Sequence, residues 1–180
     1  ASMSMELMTS PYWDKFYNEE NHIRARREHL EGIITFFPWC ATVDAMQHWV
    51  YLNPDHTVQE RDNHFVNLTK RFGSYLNWDG YEQYQRNSWQ RQGHIFGAPF
   101  YYIEYGIAQL GALQVYRNFV KDNESGLHGY IKGLKMGNSK PMPEVWENMG
   151  IKFDFSAETI TNLMEFVKEE LDKLKVHSCV

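Results

Sequence analysis

Cysteine is scarce in this sequence. Cys40 and Cys179 are the only two in 180 residues, which excludes a disulfide framework. Cys40 sits in an apolar run, where a buried, reduced thiol is the expected state. Excess positive charge is also lacking: the net charge is -5 and the pI is about 5.9, so an electrostatic nucleic-acid binder is not indicated. Long apolar runs are missing too. The longest uncharged stretches, residues 32–43 and 105–116, fall well short of the roughly 20 residues that span a bilayer. No membrane partner is therefore expected, no export signal is visible, and a cytoplasmic location is expected. No stretch shows the sustained alternation of a strand pair, and there are no internal repeats.

Aromatic rings are abundant, with Trp 6, Tyr 11 and Phe 11 making up 16% of the chain. Large rings fill cores and line clefts alike. They concentrate in a stretch broken by glycine, where Tyr75, Trp78, Tyr81, Tyr84 and Trp89 precede Gly93 and Gly97. Trp78, Tyr81 and Trp89 fit either the wall of a peptide channel or core filling. The chain opens with apolar residues and no capping residue or initiator Met, and it reads as though cut into from a longer chain.

Everything else reads as helix, so the fold class is all-α and residues 1–180 form a single all-helical region. Residues 21–51 carry one long helical pattern, which Pro38 should kink or break by removing a donor. Arg24, Arg26 and Arg27 are flanked there by Glu19, Glu20, Glu28 and Glu31, the mark of a solvated helix face. Thr57, with Glu60 three residues on, is a capping box opening a second helix that should stop at Gly73. Pro99 suits the first position of a strong helix running to about Asp122. Weaker helices are expected over 126–137 and from Pro141 to about Gly150. Ser156 caps a last amphipathic helix, with Ile160, Leu163, Met164, Val167, Leu171 and Leu174 on its apolar side.

The stretch richest in possible chemistry reads HIFGAPFYYIEYG over residues 94–106. On a helix, Tyr105 shares a face with Tyr101, four residues before it, and Tyr102, three before it. His94 precedes them on a segment loosened by Gly93 and Gly97. Imidazole and phenol both donate hydrogen bonds while neutral near pH 7. Such donors suit an oxyanion that develops only in a transition state. The same pattern also fits core packing with hydroxyls bonded to backbone. Gly106, Ala108, Gly111 and Ala112 on this helix read as small residues admitting a neighbouring helix.

Residues 94–114, HIFGAPFYYIEYGIAQLGALQ, resemble the C-terminal signature of family M3 metallopeptidases, specifically oligoendopeptidase F. Residues 21–51 and the blocks at 137–144 and 150–155 are similar to the same family, in the same order. The resemblance implies the C-terminal part of a zinc metalloendopeptidase catalytic domain that hydrolyses short peptides. It implies that His94 and Tyr105 polarise the scissile carbonyl and stabilise its oxyanion, that Tyr102 also serves catalysis and contacts substrate, and that Tyr101 is an alternative substrate contact one position away. The tyrosine that the family's better-known branch carries after Gly-Gly is replaced here by Pro99. The family's zinc sits on a His-Glu-x-x-His helix with a Glu on the following helix. No such motif occurs in this sequence: His22 and His29 are seven apart, and His56 and His64 eight.

Metal ligands are accordingly not assigned to any residue here, and Glu6 matches a later family carboxylate that is no ligand. Zinc is implied for the full-length enzyme and none for this chain. The implied partners are short peptide substrates and the missing N-terminal part of the catalytic domain, with no nucleic acid and no membrane. The chain alone is expected to be inactive and to self-associate through apolar surface. A helical peptide- or protein-binding module derived from a peptidase, but without catalysis, is the alternative.

Overall fold

The computed structural model describes residues 1–73 and 76–174; Tyr75 and Cys179 lie outside them. Among the described residues there are α-helices and short 3₁₀ turns but no strand. The helices are α1 (Ser2–Thr9), α2 (Glu19–Leu52), α3 (Val58–Phe72), α4 (Glu82–Asn87), α5 (His94–Gly97), α6 (Ile103–Lys121), α7 (Asn123–Met136), α8 (Met142–Asn148) and α9 (Ala157–Lys173). Among those residues no helix is long and apolar enough to cross a membrane. The chain divides into two compact units, one made of residues 1–33 with 107–180 and the other of residues 34–106.

In the first unit the helix ends are closed by the side chains the sequence places there. Ser156 accepts from the Thr159 amide to start α9, while Asp154 accepts from the Ser156 amide at 2.9 Å and from the Thr159 hydroxyl. Leu163, Phe166 and Val167 bury the inner face of α9, whereas Ile160, expected on that face, is exposed. The far end is closed from α2: the Arg27 guanidinium donates to the carbonyls of Leu171 and Leu174, each at 3.2 Å. Cations at a helix C-terminus satisfy orphan carbonyls and oppose the dipole. The arginine cluster is thus only partly a solvated face. Arg24 and Arg27 do pair with Glu28 and Glu31, yet Arg27 also grips α9.

Small residues let the remaining helices close in. A Cβ on Gly111 would lie 2.7 Å from the Trp146 ring, and one on Gly126 would lie 2.5 Å from the Phe119 Cα. Ala112 is buried as expected, but Ala108 faces solvent. Gln114 holds the strand-like segment after α8 by both ends of its amide, donating to the Lys152 carbonyl at 3.0 Å and accepting from the Lys152 amide at 2.9 Å.

Asp154 gives this unit a pH dependence. Its hydrogen bonds with Thr159 and Ser156 hold the carboxyl below the usual aspartate range. A depressed folded value contributes stability above the unfolded value and loses it as pH falls through the folded one. The thermal midpoint should therefore drop between about pH 5 and pH 3 more steeply in the wild type than in Asp154→Asn. Parallel melting slopes in the two proteins would remove Asp154 from the acid transition.

The second unit begins within α2, which continues unbroken through Pro38. Of the kink or break expected there, the break is absent. A proline ring removes one helical hydrogen bond, but Cys40, Val43 and Met46 on the following turns are fully buried, and that packing keeps the chain helical. The core joins Met46, Phe65, Leu68 and Trp89, with Trp39, Phe72 and Ile95 packed on it. Trp89 is therefore core rather than channel wall; its indole N–H donates to Asp62 at 3.3 Å. Tyr81 is exposed beside Tyr84. The Thr57–Glu60 capping box forms as read, and Gly73 ends α3 with φ 94.

Candidate active site

His94, Tyr101, Tyr102 and Tyr105 all belong to the second unit and meet at the start of α6. That helix begins at Ile103, not at Pro99 as the sequence suggested. The reason lies at Phe100, whose backbone is left-handed (φ 61), a conformation that costs a bulky residue about 1 kcal/mol or more. The Phe100 amide donates to the side-chain oxygen of Gln47 at 2.8 Å, and Gln47 is fully buried. A distant glutamine thus anchors Phe100 in a conformation that a right-handed helix running from Pro99 could not include. Tyr101 and Tyr102 then cap α6 through their carbonyls, which accept from the amides of Glu104 (3.0 Å) and Tyr105 (3.2 Å).

His94 opens its own short helix, α5, rather than lying on a loop. Its imidazole stands at the centre of three phenols. The ring of Tyr101 is parallel to it at 6.2 Å, with an interplanar angle of 2°. Tyr102 lies at 5.1 Å and Tyr105 at 5.6 Å, both edge-on. The Tyr105 hydroxyl is 3.4 Å from His94 Nε2. Tyr101 remains 51% exposed, so its ring is open to an incoming molecule.

Tyr102 is set deeper. Burial pushes its phenol above the usual tyrosine range, with the Cys40 thiol adding to the shift and a hydrogen bond from Trp39 opposing it. Its carbonyl accepts a long contact from the Cys40 thiol at 3.5 Å. Cys40 is itself buried and its thiol is pushed up, chiefly by desolvation, which leaves it protonated and unreactive. Gly106 is packing, as read: a Cβ there would meet the Cys40 sulfur at 3.0 Å.

Residues that the sequence did not single out complete the arrangement. Gln92 contacts His94 Nδ1 at 2.7 Å through its amide nitrogen, and its oxygen accepts from the Trp39 indole at 3.2 Å. Gln47 pins the backbone between His94 and Tyr101. Neither glutamine stands out in sequence, because each acts on a partner brought to it by folding.

The arrangement is a set of imidazole and phenol hydrogen-bond donors, partly exposed, of a kind that can stabilise developing negative charge. Among the described residues no group of three or more His, Cys, Asp or Glu side chains converges as a bound cation requires, so those residues do not fit the zinc that the sequence resemblance implies for the longer protein.

The model of Peptidase family M3 matches residues 1–165, and the chain belongs to that family. Solved structures agree. A chain described as an oligoendopeptidase F is 33% identical with a TM-score of 0.83, over 95% of this chain and 30% of that one. PZ peptidase A, solved with an inhibitor, is 29% identical with a TM-score of 0.87, over 96% and 31%. An oligoendopeptidase F of Bacillus anthracis is 28% identical with a TM-score of 0.75, over 97% and 28%. This chain thus spans less than a third of the length of each. No curated protein matches it significantly. The all-α architecture is that of the matching part of an M3 peptidase.

Proposed function

We propose that this chain is the transition-state half of an oligoendopeptidase F-type active site in a longer zinc-dependent protein that cleaves short peptides. The observation that carries this reading is the approach of His94 Nε2 to the Tyr105 hydroxyl beside two further phenols. Preorganised neutral donors are worth most where charge appears during reaction, since they need not reorganise as it forms. His94 and Tyr105 would bind the oxyanion of the tetrahedral intermediate. Tyr102 would add a third donor beside them and contact the substrate. Tyr101, the most open of the rings, would stack against the peptide. The metal and the general base would belong to residues outside this chain.

The isolated chain is accordingly expected to cleave no short quenched peptide and to bind no zinc tightly. Exposed Phe16, Leu52 and Phe96 favour self-association of the isolated chain, with a dimer or larger species in sedimentation. Chelator-sensitive cleavage by the isolated chain would overturn the division of labour proposed here.

The exposed rings at Phe96 and Tyr101 also suit a module that grips peptides without cutting them. The encoding frame separates the two readings. Continuation upstream into a His-Glu-x-x-His helix supports the peptidase, and its absence supports the binding module.

A further inference from the structure

The tautomer of His94 can be read from its neighbours. Trp39 carries an indole N–H that can donate and never accept. The Gln92 atom facing it at 3.2 Å must therefore be the amide oxygen. With its oxygen committed to Trp39, Gln92 turns its NH₂ to His94 Nδ1 at 2.7 Å. A nitrogen that receives an N–H at that distance has to be the bare, accepting nitrogen of the ring. The proton of the neutral imidazole then sits on Nε2, which faces the Tyr105 hydroxyl at 3.4 Å.

We infer that Gln92, oriented by Trp39, is a positioning residue that fixes His94 as the Nε2–H tautomer and thereby leaves the Tyr105 hydroxyl proton free for substrate. The consequence follows from counting donors. If Nδ1 carried the proton, Nε2 would be an acceptor and would draw in the Tyr105 O–H. The site would then lose both outward donors at once, the imidazole N–H and the phenol O–H. With the proton on Nε2, the imidazole donates, Tyr105 has only its oxygen engaged, and both protons can swing to an incoming oxyanion. The long 3.4 Å contact suits a bond that yields to a better acceptor.

This inference rests on the peptidase reading for its catalytic consequence, but the tautomer can be measured without activity. Nitrogen-15 NMR of the histidine-labelled protein reports which ring nitrogen is protonated. The His94 signals, among eight histidines, are assigned by their loss in His94→Asn. The expected wild-type pattern is a protonated Nε2 and a bare Nδ1. In Gln92→Glu the carboxylate still accepts from Trp39 but now requires a proton on Nδ1, so the pattern should reverse or both nitrogens should be protonated. A wild-type ring protonated on Nδ1 alone overturns the inference, as does a Gln92→Glu pattern identical to wild type. Should that variant fail to fold, Trp39→Phe, which removes the orienting N–H and keeps an aromatic ring on Cβ, is expected to give mixed tautomers, and an unmixed wild-type pattern counts against the inference. In the peptidase containing this chain, Gln92→Glu should lower kcat by about 10²-fold with KM nearly unchanged. A reversed tautomer with unchanged kcat, where His94→Asn abolishes cleavage, overturns the positioning role. If His94→Asn itself cleaves normally, the peptidase reading fails, and the spectra alone decide whether Gln92 sets the tautomer.

Discussion

Tyr105→Phe, made in the peptidase that contains this chain, is expected to lower kcat for a short peptide by about 10²-fold or more while KM changes little. Phenylalanine keeps the ring and its edge-on packing against Tyr101 and Tyr102, so the fold and the shape of the site should survive. Only the hydroxyl, 3.4 Å from His94 Nε2, is lost. A donor that acts on charge present only in the transition state contributes to kcat and little to ground-state binding. A rise in KM with kcat intact would instead make Tyr105 a substrate contact. An unchanged kcat would remove it from the mechanism, and steady-state kinetics with a quenched peptide distinguishes all three.

The largest effect on stability is expected at Gly126. In an open helix, Gly→Ala is stabilising by about 1 kcal/mol. Here the new Cβ would stand 2.5 Å from the Phe119 Cα and 2.6 Å from its nitrogen, and backbone cannot turn aside as a side chain can. Overpacking of that kind costs about 3 kcal/mol, so the clash wins over propensity and a net loss of about 2 kcal/mol remains. For a chain of this size that is a fall of roughly 4–8 °C in Tm by calorimetry. Gly133→Ala is the control: its Cβ would meet Met149 Cγ at 2.0 Å and Sδ at 2.7 Å, atoms of a flexible side chain that can change rotamer where backbone cannot, and its Tm should fall less. A Gly126→Ala midpoint at or above wild type would mean that α7 shifts freely relative to α6, and the close-packing account would be abandoned.

Much of this was local chemistry and could be read from neighbouring residues. The capping box at Thr57 and the cap at Ser156 formed where their side chains dictate, because a cap acts within three residues of itself. His94 and the tyrosines also came together at one helix start, although Tyr101 and Tyr102 precede α6 and do not share a helical face with Tyr105. The misreadings share one cause. Pro38 did not end a helix, since buried residues on the turns after it held the chain in place. Pro99 did not begin one, since Phe100 is left-handed (φ 61), with its amide held by Gln47, far away in sequence. Arg27 did not simply face water, since α9 brought its carbonyls to it.

The sequence by itself determined that the chain is helical, that it lacks a disulfide framework and a His-Glu-x-x-His motif, and that its donor side chains lie at one helix start. Period, capping and residue type are properties of short stretches, so they survive being read in isolation. Only the tertiary structure decided where α6 begins and which nitrogen of His94 faces Tyr105. Those depend on Gln47, Gln92 and Trp39, whose hydrogen bonds cross about fifty residues of chain and exist only once the core has brought their partners within 3.5 Å.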